Sequence, residues 1–252
     1  MVSEVSQEKE PAEDFEVEFE RICEKYPELA DGIKRSLEAP QLGSHHNEGP
    51  RMESHLRLML QTVEDIKQGK FHESVAGNVS LQEALQRVAL NPEIIDYVFL
   101  HDIAKPDSLS LKIEGEKKPV EITWDQWKEV EINGEPYQFQ GKPIRSISYY
   151  HISEGWNGPH GHKAAKFLKN KGVPKDILNA IENHEVAYQF TKVNPATYKK
   201  FFLDPGFSHD QQDFILAGSY IDNMSALTLD GKPDLQNFMN LVDSREAALE
   251  NK

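Results

Sequence analysis

A mostly helical bundle interrupted by one small β-rich insertion is the fold that the sequence predicts. Apolar residues recur at three- and four-residue spacing through most of the chain. The stretch at about 107–150 alternates polar and apolar residues instead. Gly, Pro, Asn and Ser punctuate the periodic segments where helices should start and stop. With 252 residues, 38% of them hydrophobic, the chain can bury one sizeable core. A single domain over 14–252 is expected, behind a polar, acidic lead-in at 1–13 whose composition predicts disorder.

Taken in order, Phe15, Phe19, Ile22 and Cys23 fall at helical spacing before Pro27, and "QLGSHHNEGP" reads as a loop. In "RMESHLRLMLQTVEDIKQGK", Met52, Leu56, Met59, Val63 and Ile66 form an apolar stripe, with Gly69 as the stop. Ser80 and Glu83 suggest a capping box for the next helix. Asn91 and Pro92 suit the N-cap and first position of a helix over 92–105, which Pro106 would end. Within the insertion, "LSLKIEG", "KPVEITW", "EVEINGEPYQFQG" and "IRSISYY" read as strands, with "NGEP" as a hairpin signal. Helices resume with "GHKAAKFLKNKG", "PKDILNAIENHEVAYQF", "SHDQQDFILAGSYIDNMSALTL" and "DLQNFMNLVDSREAALEN".

The formal net charge of −14 argues against a general binder of polyanionic nucleic acid. Cys23 is the only cysteine, which excludes an intramolecular disulfide and thiolate metal sites of the zinc-finger kind. No apolar run has the length of a membrane span, and the start carries no basic-then-apolar signal. A reducing cytoplasm is the expected setting.

Ten histidines remain to be explained. His55 lies four residues before Met59 and shares its core-facing stripe. His101 and Asp102 follow Val98, Phe99 and Leu100 directly, and His184 shares the face of Ile177 and Ile181. Asp222 sits among Ile215, Gly218, Tyr220 and Ile221. Each of these polar groups is costly to bury alone. Several helices sending imidazole or carboxylate inward is the arrangement of a metal centre between bundle helices. The donors suit borderline to hard divalent ions such as Mn, Fe, Co, Ni, Zn or Mg. Asp102, whose carboxylate can span two ions, is the natural bridge of a two-metal centre.

The order H…HD…H…H…D on successive helices resembles the HD-domain superfamily of metal-dependent phosphohydrolases. The likeness runs over most of 45–225 outside the insertion. "HNEGPRMESHLRLML" and "PHGHKAAKFLKNKGVPKDILNAIENH" look like the corresponding segments of HD domains attached to tRNA nucleotidyltransferases and polynucleotide kinases. Lys163 stands where those proteins usually carry Glu. The resemblance implies metal ligation by His55, His101, Asp102, His184 and Asp222, and by His160 or His162, of which His162 matches the family's position. It implies two divalent ions, hydrolysis of a phosphoester by metal-activated water, and a phosphate-holding lysine in the HDxxK form, here Lys105. Glu48 or His160 would protonate the leaving oxygen. Expected substrates are a small phosphoester or nucleotide, or a nucleic-acid end, with no membrane partner.

Two features leave alternatives open. Lys163, Lys166, Lys169, Lys171 and Lys175 either attract a nucleotide or RNA end or form a solvated face. Trp124, Trp127, Tyr137 and Phe139 either offer a surface on which a base stacks or fill a small core of their own. Two rival functions share the same residues: an HD-fold di-iron oxygenase resembling inositol oxygenase, and a non-catalytic nucleotide-binding module.

Overall fold

The computed structural model describes residues 11–41, 47–128, 130, 137–157 and 159–250. His45, His46, the "NGEP" turn and residues 1–10 lie outside them. Helix α1 (Pro11–Lys25) begins within the stretch read as a lead-in, with Pro11 in the first turn, where its missing N–H leaves no bond unmade. Its buried Phe15 and Ile22 face the core, with Phe19 and Cys23 packed against it. After α2 (Ala30–Leu37) comes α3 (Met52–Lys67), whose expected stripe is fully buried. Each large apolar side chain so buried contributes about 1.5–3 kcal/mol. Gly69, at φ +73°, ends that helix.

Helix α4 (Val79–Ala89) is capped differently from expectation: Asn78, not Ser80, accepts from the Leu81 N–H at 3.0 Å. Helix α5 (Glu93–Leu100) is shorter than the 92–105 predicted. Pro106 lacks an N–H and so cannot continue the four-residue ladder of α5. The chain therefore tightens after Leu100 into three-residue bonds, Ile103 N to Leu100 O and Lys105 N to Asp102 O, and on into a 3₁₀ turn at Lys105–Asp107.

The insertion is a four-stranded antiparallel sheet in the order β2-β1-β4-β3. Its strands are β1 (Ser110–Ile113), β2 (Val120–Glu121), β3 (Gln138–Phe139) and β4 (Lys142–Ser148). A helical turn, α6 (Trp124–Trp127), stands where the strand reading of "KPVEITW" ran on. Gln140 and Gly141, both at positive φ, form the two-residue turn between β3 and β4. Trp124, Trp127 and Phe139 join Leu109, Leu111, Ile113, Ile122, Val130 and Ile144 in a second, separate core, with Tyr137 packed against it. These aromatic rings are used internally, so the alternative of a base-stacking surface on them is overturned.

Helices α7 (His160–Leu168) and α8 (Lys175–Asn183) pack on each other, and α8 passes into a 3₁₀ turn at His184–Gln189. A short α9 (Pro195–Tyr198) leads to α10 (His209–Ser225), capped by the Ser208–Gln211 box. Nearly every side chain of α10 from Gln212 to Ser225 is buried, which makes it the central rod of the bundle. Helix α11 (Gln236–Glu250) closes the fold. Among the described residues no helix is long and apolar enough to cross a membrane.

Candidate metal centre

Helix ends, more than helix middles, build the site. His101 is the C-cap of α5 and His184 the C-cap of α8, positions where backbone carbonyls lack a helical partner. Each imidazole turns its Nδ1 back onto the carbonyl three residues earlier: His101 onto Val98 O at 2.9 Å, His184 onto Ile181 O at 2.7 Å. His160, the first residue of α7, sets its Nδ1 on Tyr149 O at 3.2 Å. His55, in the second turn of α3, sets its Nδ1 between Ser225 O and Glu48 Oε1, each at 3.2 Å.

Carbonyl and carboxylate oxygens only accept, so every one of these Nδ1 atoms carries the proton. In a neutral imidazole the other nitrogen is then a bare lone pair. Four Nε2 atoms consequently turn toward the same interior, that of His55 being already engaged by Asp222. His160 Nε2 and His184 Nε2 lie 3.0 Å apart, too close for two lone pairs unless a cation stands with them. Without such a cation the pair is unequal: His160 is pushed above its ordinary pKa and His184 below. For His160, burial opposes the shift, and Glu185 and Asp102 outweigh it. For His184, burial and then His160 lower it.

Asp102 sits at the middle. One oxygen, Oδ1, is 3.0 Å from His160 Nε2 and 3.8 Å from His184 Nε2; the other, Oδ2, is 2.9 Å from His101 Nε2 and 2.8 Å from Lys105 Nζ. None of these close approaches is aligned as a hydrogen bond, so both carboxylate oxygens and His101 Nε2 are buried without a partner. Two sets of donors result, His55 with His101 and Asp102, and Asp102 with His160 and His184; within each set the donor atoms lie within 4.8 Å of one another. Atoms each about 2.1 Å from one ion are at most about 4.2 Å apart, a little under the 4.8 Å within which each set falls, so either set could hold a divalent ion after a small inward shift, with Asp102 common to both. Asp222 completes the constellation through His55, its Oδ1 2.9 Å from His55 Nε2.

Charge follows geometry. Burial alone would raise the Asp102 pKa, but His101 and Lys105 hold it well below the carboxylate range. Asp222 is likewise held down against burial, chiefly by His55. Burial alone would lower His55, and its bonds to Asp222 and Glu48 push it up to about 9. Two close fits keep the frame in place. A Cβ on Gly161 would stand 2.9 Å from both His184 Cε1 and Ile181 O, so glycine between His160 and His162 lets α7 meet α8 at the site. A Cβ on Gly218 would stand 2.7 Å from the Tyr97 ring, which stacks on His101 at 5.3 Å.

The structure brings His55, His101, Asp102, Lys105, His160, His184 and Asp222 together and leaves two expectations unmet. His162, favoured as the ligand over His160, points away and sits 3.2 Å from Glu182, partly exposed. The first turn of α7 can turn only one of the two inward, and His160 is the buried one. Glu48, one of the two groups expected to protonate the leaving oxygen, holds the outer nitrogen of His55 and accepts from the Leu227 N–H at 3.2 Å, its side chain fully buried. It orients a donor and is not among the inward groups. Lys163 ties the ends of the insertion together, bonding Glu154 at 2.9 Å and Asp107 O at 3.1 Å. Lys171 pairs with Glu28 on the surface. Sequence reasoning missed Tyr149. Its hydroxyl is buried without a partner, its ring lies under Lys105 Nζ at 4.8 Å, and its carbonyl holds His160. The one signal for it is its place at the exit of the insertion, just ahead of the histidine-rich segment.

No family model matches the chain, and no curated protein or solved structure does either.

Proposed function

We propose that the protein is a cytoplasmic metal-dependent phosphohydrolase of the HD type, cleaving a phosphoester of a nucleotide or a nucleic-acid end. The supporting observation is a carboxylate without aligned partners, Asp102, shared by two sets of inward imidazole nitrogens, with a buried lysine beside it. Divalent ions held by those sets would supply Lewis acidity and an activated water.

The remaining roles belong to the chain. Lys105 offers a fixed ammonium next to the centre, and on this reading it binds the phosphate and neutralises charge developing on it. Burial of the whole cluster keeps bulk water away and strengthens each of these interactions. His160, tied to Tyr149 O at Nδ1, is oriented so that its other nitrogen faces Asp102 and His184 in the donor set they share. The His101 and His184 rings, locked by their own helix ends, cost little reorganisation.

The test is elemental analysis of the purified protein joined to phosphate release from nucleotides and 2′,3′-cyclic phosphates with Mn or Co. Bound divalent metal and release dependent on it are expected. Coloured, iron-rich protein that consumes oxygen would replace the reading with an oxygenase, and nucleotide affinity without metal or turnover would replace it with a binding module. Within the hydrolase reading, Lys105→Met should lower phosphate release about a hundredfold with metal content kept.

A further inference from the structure

A cavity of about 450 Å³ opens beside the metal centre. Its walls include Tyr149, Tyr188 and Phe201, and its polar lining includes Glu182, Glu185 and Asn183. Two of these residues belong to the centre's own surroundings. The Tyr149 ring meets the His160 ring edge-on at 6.0 Å, and Glu185 Oε2 lies 3.7 Å from His160 Nδ1. The cavity and the centre thus share a wall, and the wall comes from the insertion: Tyr149 follows β4, and Ser110 Oγ bonds the next carbonyl, Tyr150 O, at 2.8 Å.

The lining chemistry selects what can enter. Aromatic rings offer flat, sequence-tolerant contact to a planar group. Glu182 and Glu185 repel further phosphates; among the described lining residues there is no lysine or arginine, and His162 sits 3.2 Å from Glu182. The cation of the neighbourhood, Lys105, is not part of the lining; its Nζ lies 4.8 Å from the centre of the Tyr149 ring and 2.8 Å from Asp102. Tyr149 thus touches both the cavity and the lysine beside the metal centre, and on this reading organic-group recognition and phosphate recognition meet at its ring.

Resting on the phosphohydrolase reading, we propose that this cavity holds an uncharged planar ring of the substrate, so that the enzyme takes small phosphomonoesters carrying a nucleobase or a comparable aromatic group and discriminates against polyanionic ends. Tyr188 and Phe201 set that specificity from positions outside the metal centre.

Two measurements on the full chain separate the cavity from the chemistry. The first compares kcat/KM of the Mn-loaded protein for 5′-AMP, ribose 5-phosphate and a 5′-phosphorylated oligonucleotide. The second measures equilibrium binding of adenosine, which carries no phosphate, by NMR titration. AMP should exceed both other substrates by about tenfold or more, and Tyr188→Ala and Phe201→Ala should each cut the ratio of AMP to ribose 5-phosphate about tenfold and weaken adenosine in parallel. Tyr188→Phe, which keeps the ring, should restore both. Phosphate release from all three at similar kcat/KM, with no adenosine bound, overturns the cavity assignment and leaves the hydrolase standing. Adenosine binding lost in Tyr188→Ala, with no phosphate released from anything, upholds the cavity and removes the hydrolase.

Discussion

Asp96 and Asp102 are buried carboxylates six residues apart, one inside α5 and one just past its end; Asp96 has aligned donors on one oxygen, Asp102 on neither. Asp96 Oδ2 accepts from Tyr26 Oη at 2.7 Å and from Lys25 Nζ at 2.5 Å, with Arg21 3.8 Å from its other oxygen. Lys25 and Arg21 keep about two-fifths of their side chains in water, so the charge is met by partners that pay little desolvation. Asp102 has as many cationic or nitrogen neighbours at equal range, yet neither of its oxygens receives an aligned bond. Its histidine neighbours are themselves locked elsewhere through Nδ1, and Lys105 is its one ammonium neighbour, at 2.8 Å. Asp96 is met by cations that are partly in water, whereas Asp102 is met by one buried ammonium and by imidazoles whose protons are committed elsewhere.

The sharpest way to break that contrast is to remove each carboxylate in turn. Asp102→Ala should empty both donor sets and lower phosphate release by at least about a thousandfold. Far-UV circular dichroism should still report helices, and Asp102→Asn, which keeps the side-chain shape, should lose metal equally. Asp96→Ala should do the reverse. It leaves the buried Tyr26 hydroxyl without its acceptor and costs about 1–3 kcal/mol in denaturant unfolding, with metal per chain unchanged. Metal retained in Asp102→Ala, or lost in Asp96→Ala, would dissolve the distinction.

The same contrast explains what the sequence made legible. Asp102, His101, His184, His55 and Asp222 stand out because apolar helix faces leave no ordinary reason for a polar residue among them. The helical stripes of α3 and α10 were legible for the same reason. Periodicity fails at helix edges, where the site is built. It cannot choose between His160 and His162 in the first turn of α7, since the entry angle of the chain decides which faces inward. Nor does it reach Glu48, which lies ahead of α3 in a stretch without repeat and acts across a long sequence distance on Leu227. The end of α5 was misjudged because Pro106 acts several residues upstream of itself, through the tightening of the chain after Leu100.

Glu48 sharpens the comparison from outside the cluster. It is a buried carboxylate that, like Asp96, has a fixed donor, and, like Asp102, belongs to the site. Glu48→Gln keeps its size and removes its charge, so His55 loses part of the orientation and basicity that the carboxylate lends it. Affinity for Mn, read by competition with a chelator, should fall about 10–100-fold, with unfolding stability changed far less than in Asp96→Ala. An unchanged metal affinity would make Glu48 a fold residue of the Asp96 kind.

The smallest effect is expected at His162, and it separates two histidines a single glycine apart. His160 touches Asp102 and His184; His162 touches Glu182 at the surface of the cavity. His160→Ala should remove one donor from the set it shares with Asp102 and His184 and lower the metal bound per chain toward one. His162→Ala should leave metal per chain at the parent value, because its imidazole is directed away from both donor sets. Side-by-side elemental analysis of the two variants decides it: a loss at His162→Ala as large as that at His160→Ala would mean that α7 presents its other histidine to the ions, and that the lone-pair pairing of His160 with His184 is not what draws the cation in.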